Sequence, residues 1–150
     1  LDGAIAECTF SLFPDKSAVL QSVKNCLKPG AQLAVSDMVI GSGLPAELKD
    51  RLAPWTCIAD AMSIEGYKTL FLDNGYKILA DMDESQGLYD LISQVKRQIL
   101  LLGAGQAFGM AEASGFDLDI QTVRYWLDQI KTQIDLGNIS YHRFHLKLEC

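Results

Sequence analysis

The sequence has no apolar run long enough to cross a bilayer: its most apolar stretch, Ile99 to Ala107, is far too short, and no basic segment with a cleavable apolar run opens the chain. A basic surface is missing too. Lys and Arg number 13 against 19 Asp and Glu, a formal charge of −6, and the cations are scattered rather than striped, so nothing supplies the footprint a phosphate backbone requires. A cytoplasmic protein that engages neither membrane nor nucleic acid is expected. Cysteine is sparse, and Cys8, Cys26, Cys57 and Cys150 form no C-x-x-C pair, which excludes a zinc ribbon or a thioredoxin-like motif. Disulfides are not expected in a reducing compartment. The two histidines, His142 and His145, are separated by an odd number of positions on a predicted strand; they fall on opposite faces and cannot chelate one ion. Internal repeats and low-complexity tracts are also missing.

What is present suits one globular core: 150 residues, 49% of them hydrophobic. Leu1-Asp2-Gly3-Ala4-Ile5-Ala6 enters a strand pattern directly, without an initiating Met, so a truncated chain is expected. The apolar, small-residue run Gly3 to Phe13 predicts a strand, and Pro14-Asp15-Lys16-Ser17 a helix start. The helix carries Val19, Leu20, Val23 and Leu27 on one face, with Cys26 expected in the core beside Leu27, and ends at Lys28-Pro29-Gly30 because Pro cannot continue it. Gln32 to Val39 then reads as a buried strand of the parallel kind, completing a strand, crossover helix and strand unit.

Beyond a loop at Gly41 to Pro45, the stretch from Ala46 to about Ser63 predicts two short helices broken near Pro54, with Cys57 on the second. Ile64 to Asn74 is amphipathic through Tyr67, Leu70 and Phe71, and Asn74-Gly75 supplies a left-handed stop. Tyr76 to Met82 is a third strand. Gln86 to Leu102 and Ile120 to Leu136 have helical spacing, joined by a Gly- and Ala-rich connection through Gly115 that reads as a linker or a lid. The apolar stripe of the second helix, with Val123, Trp126, Leu127, Ile130 and Ile134, reads as a packing or dimer face. Ile139 to Leu148 is a strand whose drier face holds His142, Phe144, Leu146 and Leu148. The fold expected is α/β: about four strands with the last pair antiparallel, and a helical hairpin inserted before the final strand.

Taken in order, Cys8-Thr9-Phe10-Ser11-Leu12-Phe13-Pro14-Asp15-Lys16 and then Leu27-Lys28-Pro29-Gly30 to Ser36-Asp37 resemble the fourth strand, following helix and fifth strand of class I S-adenosylmethionine-dependent methyltransferases. Gly75-Tyr76-Lys77-Ile78 looks like the entry to that family's sixth strand, and Gly137-Asn138-Ile139-Ser140-Tyr141 like the entry to its seventh. The resemblance implies the second half of a Rossmann-like methyltransferase sheet (1–82), a helical insert (83–136) and the final strand (137–150). It also implies S-adenosylmethionine as cofactor, with its main binding half upstream of Leu1. Gly41-Ser42-Gly43 and Gly103-Ala104-Gly105 neither follow a strand nor open a long helix as the glycine-rich fingerprint requires, and both read as loops.

A narrower match concerns two cysteines. Glu7-Cys8-Thr9-Phe10-Ser11-Leu12 and Trp55-Thr56-Cys57-Ile58-Ala59-Asp60-Ala61 are similar to the two segments of arsenite methyltransferases whose cysteines hold trivalent arsenic. The similarity implies that Cys8 and Cys57 bind a metalloid substrate, soft thiolates being suited to a soft centre. Glu7, Thr9 and Asp37 would face the cofactor, Glu7 standing where the arsenic enzymes usually carry Asn. Read without the resemblance, each cysteine is equally a buried structural thiol, and Asp37 is either a ligand contact at a strand's C-terminal end or a turn cap. Three functions follow: methyl transfer to a metalloid or other small acceptor, with this piece nearly inactive alone; a non-catalytic assembly or interaction module derived from a methyltransferase; or a thiol-based metalloid sensor. Self-association through the Gly3 to Phe13 edge or the helical insert is expected, because a bare apolar strand edge must be covered.

Overall fold

The computed structural model describes residues 1–54, 56–107 and 120–149, and of 102–107 the backbone alone. Trp55, Cys150 and the connection at 108–119, including most of the predicted linker or lid, lie outside the described residues. The elements run β1 (Gly3–Glu7), a 3-10 turn (Phe10–Leu12), α1 (Lys16–Cys26), β2 (Gln32–Ile40), α2 (Ala46–Leu52), α3 (Ile64–Asp73), β3 (Tyr76–Asp83), α4 (Ser85–Ala107), α5 (Ile120–Asp135) and β4 (Ile139–Leu148).

The four strands form one sheet in the order β1-β2-β4-β3. β1 and β2 are parallel, as a crossover helix between them demands, whereas β4 runs antiparallel to both of its neighbours. The last strand of the chain is therefore an interior one. This is the partial Rossmann-like methyltransferase sheet that the motif order implies. Alternation along β2 divides the sheet's two faces. Leu33, Val35 and Val39 join Leu20 and Leu27 of the α1 segment, Tyr67 and Phe71 of α3, and Phe144 and Leu146 of β4 in one core. Met38 packs on the opposite face against Leu48 and Leu52 of α2, Ile58, Ala61 and Ile139, with Trp126, Ile130 and Ile134 of α5 closing over them.

Local chemistry accounts for the ends. Asp15 caps α1 by accepting from the Ala18 amide at 2.9 Å, and Ser63 caps α3 through Gly66 at 3.1 Å. Gly75 takes φ +81°, the left-handed stop expected after Asn74. α4 and α5 are antiparallel neighbours, pinned by Lys96 to Asp128, by Lys131 to Ser93, and by the Lys131 amine 3.9 Å above the Tyr89 ring.

Four expectations are corrected. The first strand stops at Glu7 instead of reaching Phe13, because the chain turns at Cys8 into the 3-10 turn. Among the described residues between Ala46 and Ser63 only one helix forms: Pro54 lacks the amide that would extend α2, Thr56 is a bend and Cys57 to Asp60 are turn, so Cys57 stands on a turn. Cys26 is exposed, since it lies about 240° round α1 from Leu20 and so off the buried face. α4 runs past Leu102 to Ala107, Ala and Gly there continuing the helix.

Phe144 sits at the centre of the larger core, with ring centroids 5.2 Å from Phe71 and 5.7 Å from Tyr67. Phe144→Ala is expected to lower unfolding free energy by about 3–5 kcal/mol, read from the urea midpoint at unchanged m-value.

Candidate functional site

The site is built where β1 ends. The Asp37 carboxylate on β2, fully buried, accepts from the Ser11 amide at 2.7 Å, the Ser11 hydroxyl at 2.6 Å and the Met38 amide at 2.7 Å. Holding Ser11 there folds the chain back on itself immediately after β1. Cys8 absorbs the reversal by adopting φ +49°, a left-handed conformation costing a side-chain-bearing residue roughly 1–2 kcal/mol, while its amide still donates to the Ser36 carbonyl at 2.8 Å. Ser11 reaches the second segment as well, for its carbonyl accepts from the Asp60 amide at 3.1 Å. The turn carrying Cys57 is thereby tied to the turn that follows Cys8, and Thr56 bonds back to the Leu52 carbonyl at 2.8 Å to hold its start.

These ties bring the two thiols close enough to interact with one another. Both cysteines are half-buried and free, and both pack against the Met38, Ile58 and Ile139 core. Burial pushes the Cys8 thiol up to about 12, and the Cys57 thiol, then Asp37 and Glu7, push in the same direction. Cys8 is therefore a neutral thiol at neutral pH.

Two phenols flank the pair. Tyr141 of β4 stands opposite Met38 in register, with the Ser36 side chain close enough to interact with its hydroxyl; burial raises its phenol above the usual range, and Cys8, Asp37 and Glu7 push in the same direction. Tyr67 of α3 is fully buried on the other face of the sheet, raised by burial and then by Asp37. Its hydroxyl has no hydrogen-bond partner, the Met62 amide approaching it outside hydrogen-bonding geometry. Lys16 closes the cluster: its amine donates to the Phe13 carbonyl at 2.7 Å, and burial lowers it while Asp60 and Asp37 partly restore it. The Arg51 guanidinium lies 5.4 Å from the centre of the Trp126 ring and joins α2 to α5 above the thiol face.

Of the residues singled out from sequence, Cys8 and Cys57 are brought together, Glu7 and Thr9 are exposed beside Cys8, and Asp37 is buried with its oxygens turned to Ser11 and Met38. Ser11, Ser36 and Tyr141 were missed as site residues. A polar residue between Phe10 and Leu12 was the available signal for Ser11; Tyr141 and Ser36 gave none, since their meeting depends on which strand lies beside β2. Among the described residues no group of three or more His, Cys, Asp or Glu is placed to hold a metal ion, and no helix is long and apolar enough to cross a membrane.

No protein-family model matches the chain. An O-methyltransferase of Pyrenophora dematioidea is 26% identical over 105 residues, 68% of this chain and 39% of that protein. An arsenite methyltransferase of Mus musculus is 36% identical over 62 residues, 41% of this chain and 16% of that protein. Among solved structures, Haemonchus contortus phosphoethanolamine N-methyltransferase 2 in complex with S-adenosyl-L-methionine superposes with a TM-score of 0.74 at 14% identity, over 100% of this chain and 34% of that one. The chain spans well under half the length of these proteins. Its fold is that of a partial class I S-adenosylmethionine-dependent methyltransferase. Within that class, its sequence is similar to arsenite methyltransferases.

Only a thiolate attacks an alkylating reagent, so a raised pKa slows the reaction at a given pH. Iodoacetamide at pH 8 is expected to label exposed Cys26 well before Cys8, the Cys8 rate climbing as pH rises toward 12; peptide mapping that finds Cys8 modified first would contradict the geometry.

Proposed function

We propose that this chain holds the acceptor in a methyl transfer from S-adenosylmethionine, and that the acceptor is a trivalent metalloid such as arsenite bridging Cys8 and Cys57. The observation that carries the reading is the convergence of two thiols from distant segments at the end of β1. Two thiols exchange with arsenous acid without a protein base: As(OH)3 and two R–SH give (RS)2As–OH and two waters. The raised Cys8 thiol is compatible with this exchange, because water leaves and no net proton is released. The bound centre keeps its lone pair, and the fold's contribution is to hold that lone pair in line with the methyl group. When bound, the cofactor supplies an electrophilic methyl on a sulfonium.

The residues of this chain fit the cationic end of that cofactor in part. Glu7 presents an exposed carboxylate beside Cys8, favouring positive charge, and Thr9 presents an exposed hydroxyl. Asp37 acts indirectly, since its carboxylate is occupied in shaping the turn between them. The reading is supported by the similarity to arsenite methyltransferases over part of the chain.

Arsenite titration by calorimetry tests it: one equivalent is expected per chain. Cys8→Ser and Cys57→Ser are each expected to weaken binding by about a hundredfold or more, since either change converts a two-point attachment to a single one. Retention of arsenite binding by either variant refutes the shared site. We propose further that the open edge of β1, beside an Ile5 that is 78% exposed, pairs with a second copy when the chain stands alone. Light scattering that shows a monomer at moderate concentration removes that part.

A further inference from the structure

We propose that the Tyr141 hydroxyl is a third recognition group of this site, donating a hydrogen bond to the hydroxyl that stays on a trivalent metalloid after two thiols have replaced its other two. The proposal rests on the dithiol reading above and adds to it a preference for an oxygen-bearing third substituent.

The placement comes from the sheet. Tyr141, Cys8 and Cys57 all pack on the core made by Met38, Leu48, Leu52, Ile58, Ala61 and Ile139, so phenol and thiols share one face. One residue lies beside two of them: the Ser36 carbonyl accepts from the Cys8 amide at 2.8 Å, and the Ser36 side chain is near enough to the Tyr141 hydroxyl to interact with it. The strand carrying Tyr141 is held at that residue from outside the sheet, its amide donating to the Ser85 hydroxyl at 3.0 Å and its carbonyl accepting from the Glu84 amide at 2.7 Å. A phenol carries one donor and two acceptor sites, so contact with Ser36 leaves capacity for a ligand, and Tyr141 is only half-buried. Tyr67 does not compete for the role. It is sealed beneath α3 on the opposite face.

Two arsenicals separate this contact from the thiol bonds. Arsenite on the pair retains one As–OH, whereas phenylarsine oxide gives PhAs(SR)2 with loss of one water and retains a phenyl group that accepts no such hydrogen bond. Both are titrated against the wild-type chain and Tyr141→Phe, a variant that keeps the ring and its packing. The expected result is a loss of about three- to tenfold in arsenite affinity, the worth of one hydrogen bond, with phenylarsine oxide affinity unchanged. Ser36→Ala, which leaves the phenol present and its orientation loose, is expected to show a smaller loss confined to arsenite. Equal losses for both reagents in Tyr141→Phe assign Tyr141 a packing role and overturn the proposal, as does no loss for either. Wild-type chain that binds neither reagent overturns the dithiol reading itself, and that outcome is distinct from any effect of the variants.

Discussion

The buried Asp37 carboxylate is the constraint on which the site depends. A carboxylate removed from water is tolerated only if its oxygens are satisfied, and here two bonds from Ser11 and one from Met38 do so. The consequence is geometric. To deliver Ser11 to Asp37 the chain must reverse straight after β1, which forces Cys8 into the left-handed region and stops the strand at Glu7. Because Ser11 also accepts from Asp60, the same residue draws the Cys57 turn across to Cys8. A polar residue in an apolar run thus sets the distance between two sulfurs.

The sheet divides labour between its faces. The α1 and α3 side is an aromatic core around Phe10, Tyr67, Phe71 and Phe144, and its role is stability. The α2 and α5 side is aliphatic with Trp126 and contains both thiols at its margin. Placing β4 between β2 and β3 joins these roles, for its alternating residues send Phe144 and Leu146 into one core and Ile139 and Tyr141 toward the other. Burial keeps the Cys8 thiol neutral, which suits exchange with a neutral oxyacid and protects it from alkylation.

The linear pattern carried much of the fold. Spacing of Val19, Leu20 and Val23, of Tyr67 and Phe71, and of Trp126, Ile130 and Ile134 marked α1, α3 and α5, and Asp15 and Asn74-Gly75 marked ends that the structure keeps. Where the reading failed, a tertiary contact outweighed a local preference. Phe10 to Phe13 is apolar enough for a strand, yet Asp37 converts it to a turn. Cys26 adjoins Leu27 in sequence and points elsewhere, because one step along a helix is about 100° of rotation. Pro54 did break the helix as expected, but among the described residues no second helix followed it before Ser63.

The order and kind of most elements, and through their motifs the likeness to methyltransferases and the nomination of Cys8 and Cys57, were set by sequence alone, since helix and strand periodicity and turn chemistry act over a few residues. The tertiary structure decided that β4 lies inside the sheet, that Asp37 faces Ser11, that the two thiols meet, and that Tyr141 stands on their face. Each of these depends on hydrogen bonds between residues far apart in the chain, and such bonds have no signature in the spacing of either partner alone.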